Sequence, residues 1–207
     1  MKIGILISGR GSNMVAIAEA VSDGVIPGAE VAVVISDKSK APGLEKARDL
    51  GLETVIVTRK KRSREEHDAE IISVLKNRGV ELVCLAGYMR LLSSDFVRVF
   101  PNRIINIHPS LLPSFKGLHA HDQAIEYGVK ISGCTVHFVD EHLDHGAIIL
   151  QKAVEVLDED DADSLSKRII VQEHAAYIEA VRRVAAGEIE IKGRRVVSRG
   201  RGDAVNG

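Results

Sequence analysis

The sequence predicts a doubly wound α/β fold with a mostly parallel, mixed sheet, and three observations carry that expectation. Apolar runs recur at Ile3–Ile7, Val31–Ile35, Thr54–Val57 and Leu82–Ala86, each continuous enough to suit a strand covered on both faces. Helical patterns separate them, at 12–23, 42–50 and 64–77, so the first half reads as a right-handed βαβ series. Beyond His108 the rhythm changes. Two strands, Gly133–Val139 and Ala147–Val156, follow one another without room for a helical crossover and must pair antiparallel.

Local signals justify the elements in turn. Gly51 and Gly79 sit where helices two and three should stop, and Ser63 with Glu66 has the spacing of a capping box for the third. Arg103–His108 is the next apolar run, closed by Pro109 and Pro113, which restrict the residues before them and make a stiff exit. Residues 110–117 form a long connection, 119–127 a short helix, and 164–186 a long one with Leu165, Ile169, Ala176, Ala180 and Val184 near helical spacing. A small hairpin at 188–197 should turn at Lys192-Gly193, and 199–207 is polar and glycine-rich, expected to fray. The organisation expected is one domain over 1–186, with the hairpin and a flexible tail over 187–207.

Composition narrows the function classes. With 28 basic and 29 acidic side chains the formal charge is −1, so nothing global attracts nucleic acid or an anionic membrane. No Trp and few other aromatics leave little for base stacking. No apolar stretch approaches the ~18 residues of a membrane span, and the N-terminal run is too short for a secretory signal, so a cytoplasmic setting is expected. Cys84 and Cys134 lie in apolar surroundings and read as reduced core residues. Two charge runs, Arg59–Arg64 and Asp158–Asp163, read as solvated loops.

Chemistry concentrates in a few segments. In an extended Arg103–His108, Ile105 and Ile107 face one way while Asn106 and His108 share the other face, where both can address one bound group. A satisfied core pair is the plain alternative. Gly9-Arg10-Gly11-Ser12-Asn13 follows the first strand and opens the first helix, a place that favours an anion such as phosphate. It lacks the third glycine of a dinucleotide fingerprint and the Gly-Lys-Ser/Thr ending of a P-loop, and an ordinary turn with an N-cap would explain it too. Asp140-Glu141-His142-Leu143-Asp144-His145 places three carboxylates and two imidazoles between strands, one carboxylate of which can come beside His108. Glu173 shares the inward stripe of the long helix, and Met89-Arg90-Leu91-Leu92 follows the fourth strand, where an apolar wall suits a flat ring. Six histidines fall within 38 residues, yet no helical H-x-x-x-H or cysteine pair accompanies them, so no metal is expected. Ser110 lacks the G-x-S-x-G elbow of a nucleophile.

These segments resemble the folate-dependent formyltransferases that act on glycinamide ribonucleotide. The resemblance rests on 7–13, 85–92, 105–113, 117–121 and 143–151 in matching order, and extends over about residues 1–186. It implies a Rossmann-like fold, 10-formyltetrahydrofolate as formyl donor and glycinamide ribonucleotide as acceptor. It implies Asn106, His108 and Asp144 as the catalytic trio, and Gly11, Ser12 and Asn13 on the substrate phosphate. Met89 and Glu173 would lie near the glycinamide arm. Arg64, Arg90, Leu91, Leu92 and the loop Asp140, Glu141, His142, Leu143 would serve the folate. Ala147 stands where relatives often carry proline, and Ile170 removes a charged phosphate-side contact. A hydrolase of the same donor would read His-His-Ser where this chain has His108-Pro109-Ser110, and a transferase acting on initiator tRNA would need a further RNA-binding domain. A non-catalytic nucleotide-binding regulator would leave the trio unused. The partners expected are these small molecules, with no nucleic acid and no membrane, in a monomer or homodimer.

Overall fold

The computed structural model describes residues 1–199; the expected fraying of the glycine-rich end lies almost wholly outside them. Five parallel strands, β1 (Lys2–Ile7), β2 (Glu30–Ser36), β3 (Thr54–Ile56), β4 (Leu82–Leu85) and β5 (Ile104–His108), alternate with α1 (Ser12–Ser22), α2 (Pro42–Asp49), α3 (Arg64–Asn77) and α4 (Ser94–Val99). Then come α5 (Ala120–Tyr127), β6 (Ile131–Phe138), β7 (Ile148–Glu155), α6 (Ala162–Ala185), β8 (Ile189–Lys192) and β9 (Arg195–Ser198). The sheet order is β3-β2-β1-β4-β5-β6-β7-β9-β8, with β6–β7 antiparallel as the missing crossover requires; β5–β6 is antiparallel too, although α5 lies between them.

The caps explain several boundaries. Ser63 and Glu66 form the expected capping box, at 3.1 and 2.8 Å. An unanticipated second box, Asp161 with Ser164, starts α6 two residues earlier than its apolar stripe suggests. The six-residue α4, capped by Ser93, was not expected. The hairpin β8–β9 turns as anticipated, but it also joins the sheet, β9 pairing parallel to β7 at Ile148 and Arg195.

Two cores lie on the two faces. On one, Ile3, Ile5, Ile7, Cys84, Ile105, Ile107, Cys134 and Val136 meet α1 and α6. On the other, Leu6, Val33, Val83, Leu85 and Ile104 meet Ile71 and Leu75 of α3 and Phe96 of α4. Among the described residues, β6 and β7 contribute no buried member to that second core. The face of β5 and β6 beside α4 is therefore free for polar side chains.

Fully buried Tyr177 of α6 fixes the helix to the sheet by directing its hydroxyl at the carbonyls of Leu85 (3.1 Å) and Ile105 (3.0 Å). Such a hydrogen bond contributes about 0.5–1.5 kcal/mol net, whereas burying the hydroxyl unpaired would cost more. Burial pushes the Cys134 thiol up to about 12 and the Cys84 thiol upward as well, which keeps both inert.

Candidate active site

Asn106 and His108 leave β5 on the face away from Ile105 and Ile107, as the alternation requires. Antiparallel pairing sets His137 of β6 opposite Asn106, and Thr135 opposite His108. Thr135 anchors the turn that follows: its hydroxyl donates to the Ser110 carbonyl at 2.7 Å and accepts from the Leu112 amide at 3.0 Å. Gln151 adds bonds to the Leu112 carbonyl and to Thr135. The proline-bounded exit from β5 is thus tied to two neighbouring strands.

Asp144 meets this face from the β6–β7 loop. One carboxylate oxygen accepts the Gly117 amide at 2.8 Å and lies 3.5 Å from His108 Nδ1; the other is 3.8 Å from His137 Nε2. Asp144 adopts φ 45°, a left-handed conformation that Asp tolerates better than most residues. His108 Nε2 is 2.8 Å from the Phe115 carbonyl. Oxygen atoms therefore face both ring nitrogens of His108. The three residues singled out from the sequence converge.

His137 was not anticipated. Its Nδ1 lies 2.8 Å from its neighbour's carbonyl, Phe138, which assigns the hydrogen to Nδ1 and leaves Nε2 as the acceptor facing Asn106 Nδ2 at 3.4 Å. Burial lowers the His137 pKa more than Phe138 and Asp144 raise it, so the ring stays neutral and keeps that acceptor. It orients the Asn106 amide, leaving the second Nδ2 hydrogen for a ligand. In the sequence it is one polar residue of an alternating strand, and only the pairing register reveals its partner.

At the crevice where the chain reverses direction around β1, the turn after β1 faces the loop after β4. Gly11 takes φ 69°, and a Cβ there would stand 2.9 Å from the Gly43 backbone, so the close approach of α1 and α2 needs glycine. Ser12 begins the helix. Asn13 is buried and donates to Glu173 at 2.8 Å, while its own Oδ1 has no partner among the described residues. Burial pushes the Glu173 carboxyl upward, opposed by Asn13 and by the charges of His108 and Arg10. The turn after β1, the long helix and the β5 face thus share one electrostatic neighbourhood.

Buried Asp37, at the end of β2, was also missed. It accepts from Ser8 Oγ at 2.6 Å and pairs with Arg90 Nε at 2.6 Å, while Ser8 Oγ accepts the Met89 amide at 2.9 Å. The side chain of Arg90 is thereby turned to Asp37, and the loop after β4 is locked to the turn after β1. Asp37→Asn should lower stability by about 1–3 kcal/mol by removing a buried charge-assisted partner, read as a lower midpoint in denaturant. Unchanged stability would exclude this lock.

Met89 and Leu91 are exposed, whereas Leu92 packs against the second core. Arg64 opens α3 and borders a cleft of about 200 Å³ with Arg59, His67, Asp68, Met89, Arg90 and Leu91. In the β6–β7 loop, Glu141, His142 and Leu143 are exposed, and Asp140 binds the His142 amide (2.9 Å) and His145 Nδ1 (2.7 Å). Burial raises the Asp140 carboxyl, but those two bonds outweigh it and hold the group below its usual range. Arg194 of the hairpin reaches His145 Nε2 at 2.6 Å and its carbonyl at 2.9 Å. Among the described residues, no three His, Cys, Asp or Glu side chains are grouped to hold a metal ion, and no helix is long and apolar enough to cross a membrane.

An amide, an imidazole and a carboxylate converging beside an anion-receptive turn define an α/β site suited to moving an acyl group between two bound molecules. The chain belongs to the formyl transferase family, which it matches over residues 1–181. It is 43% identical over 192 residues to phosphoribosylglycinamide formyltransferase of Escherichia coli K12, covering 92% of this chain and 90% of that one. It is also 48% identical over 188 residues to the trifunctional purine biosynthetic protein adenosine-3 of Drosophila melanogaster, but spans only 14% of that relative's length. Glycinamide ribonucleotide transformylase 1 from Symbiobacterium toebii superposes with TM-score 0.94 at 51% identity, over 96% of this chain and 93% of that one.

Proposed function

We propose that this chain transfers the formyl group of 10-formyltetrahydrofolate to the amine of glycinamide ribonucleotide, a step of purine synthesis. The observation that carries this reading is the convergence of Asn106, His108 and Asp144 on one sheet face, in a chain that matches nearly the full length of the Escherichia coli enzyme.

The neutral amine attacks the formyl carbon, giving a tetrahedral intermediate with charge on oxygen. Asn106 Nδ2 and the His108 imidazolium stabilise that oxyanion, His108 exchanging the Phe115 carbonyl for the ligand. Asp144 stands beside His108 and, directly or through water, relays a proton from the attacking to the departing nitrogen as the carbon–nitrogen bond to the folate breaks. Gly11, Ser12 and Asn13 receive the phosphate, Met89 and Glu173 flank the glycinamide arm, and Arg64, Arg90, Leu91, Leu92 and residues 140–143 serve the folate. No covalent intermediate and no metal takes part. The protein works in the cytoplasm, as a monomer or homodimer.

The test is a formyl-transfer assay with purified protein, comparing glycinamide ribonucleotide with other amines and with water. Turnover only with the ribonucleotide is expected. Formate release at the same rate without any amine would instead identify a hydrolase.

A further inference from the structure

We propose that Arg194, in the turn of the C-terminal hairpin, is a positioning residue for the formyl donor: it holds the β6–β7 loop in the shape that receives the donor. This role rests on the reading of residues 140–143 as donor-binding and extends it to a separate element of the fold.

The loop has little of its own to hold that shape. Its two ends are fixed, the Phe138 amide donating to the Ala147 carbonyl and the Val139 amide to the Ile104 carbonyl, each at 2.9 Å. Between them, among the described residues, no backbone–backbone hydrogen bond involves residues 140–146, and no proline restricts the chain. Glu141, His142 and Leu143 are exposed. The shape therefore falls to side chains. Asp140 accepts the His142 amide and meets the His145 ring, while Asp144 is anchored separately on the Gly117 amide.

Arg194 ties the Asp140–His145 pair to regular structure. Its guanidinium donates to the His145 carbonyl at 2.9 Å and reaches the ring Nε2 at 2.6 Å, so backbone and side chain of one residue are gripped together. The grip has a firm base. Strand register pairs Lys192 with Arg195, which leaves Gly193-Arg194 as a two-residue turn, and Gly193 takes φ 62°, the left-handed conformation such a turn favours at its first position. Below the turn, Ile189, Ile191 and Val196 pack on the first core, and Arg182 of α6 holds Glu188 at 2.7 and 2.9 Å.

A loop free to leave this shape binds donor only in the fraction of molecules that keep it, and apparent affinity falls by that fraction. Loss of a charge-assisted hydrogen bond is large enough to shift such a balance about tenfold. Arg194 is exposed, so its removal takes away no buried apolar contact and should hardly alter global stability. Turnover at saturating donor should also persist, because Asp144 keeps its own anchor.

The experiment compares Arg194→Ala, His145→Ala and the double variant with the unaltered protein, by titration calorimetry with tetrahydrofolate as probe, steady-state kinetics and thermal melting. Arg194→Ala is expected to weaken tetrahydrofolate binding and raise the donor KM about tenfold. Its kcat, its KM for glycinamide ribonucleotide and its melting midpoint should be little altered. Since the two residues form one link, the double variant should lose much less than the product of the single losses. Donor affinity in Arg194→Ala equal to that of the unaltered protein, or losses that multiply in the double variant, overturns the positioning role and leaves the folate reading standing. A lower melting midpoint with equal weakening of both ligands marks a merely structural contact and overturns the role as well. Failure of the unaltered protein to bind tetrahydrofolate overturns both readings.

Discussion

Asp144→Asn is expected to bind both ligands and to lose about 10²- to 10⁴-fold in kcat, the range for general acid–base assistance. The substitution barely changes volume, and an Asn side-chain oxygen still accepts the Gly117 amide, so the loop keeps its anchor. What disappears is the charge 3.5 Å from His108 and the capacity to take up a proton. Both matter more as the oxyanion develops than when substrates first bind, so the loss should fall on kcat with KM little altered. Steady-state kinetics on folded variant protein decides it. Turnover at the rate of the unaltered protein would remove Asp144 from the relay and leave the β6–β7 loop a structural element.

Gly146→Ala is expected to damage stability and activity together. A Cβ at this position would stand 1.9 Å from the Phe138 carbonyl oxygen and 2.7 Å from its carbon, far inside contact distance. That carbonyl holds His137 Nδ1, and the adjoining Phe138 amide donates to the Ala147 carbonyl at 2.9 Å. Relief of the clash must move the start of β7 or the end of β6. Overpacking of this kind costs on the order of 1–3 kcal/mol or more, and displacement of a reactive group by an ångström costs on the order of 10²-fold in rate. Thermal melting and kcat/KM read the two effects, and a variant with unaltered values for both would show that the hairpin yields without disturbing His137.

The parts of this site that were legible in the sequence are those whose positions follow from local periodicity. Alternation along Arg103–His108 sends Asn106 and His108 to one face whatever surrounds them. The turn after β1 is likewise readable, because a strand, two close glycines and a helix start occupy adjacent positions. Local patterns also give the sheet its antiparallel margin, through the short spacing between β6 and β7. What escaped depends on pairing over distance. His137 matters only because β6 lies in a particular register against β5, and Asp37 only because β2 ends beside the loop after β4. The docking of β9 on β7 pairs Ile148 with Arg195, far along the chain and with no local mark, and α4 is too short for periodicity to declare it. Arg90 shows the same limit from the other side: its place in the loop is readable, but its engagement with Asp37 is not.

The contact between the hairpin and the β6–β7 loop has an electrostatic consequence. Asp140, His145 and Arg194 form a chain in which carboxylate, imidazole ring and guanidinium follow one another, so the opposite charges of Asp140 and Arg194 largely offset each other at a distance. Asp144, almost excluded from solvent, is the carboxylate that this loop turns toward His108. Exposed charges are screened over about 8 Å at physiological ionic strength, whereas a buried one is screened far less. Among the charges of this loop, the one that weighs most on His108 is therefore the shielded carboxylate of Asp144, so the outer surface of the loop can vary with little effect on the face beneath it.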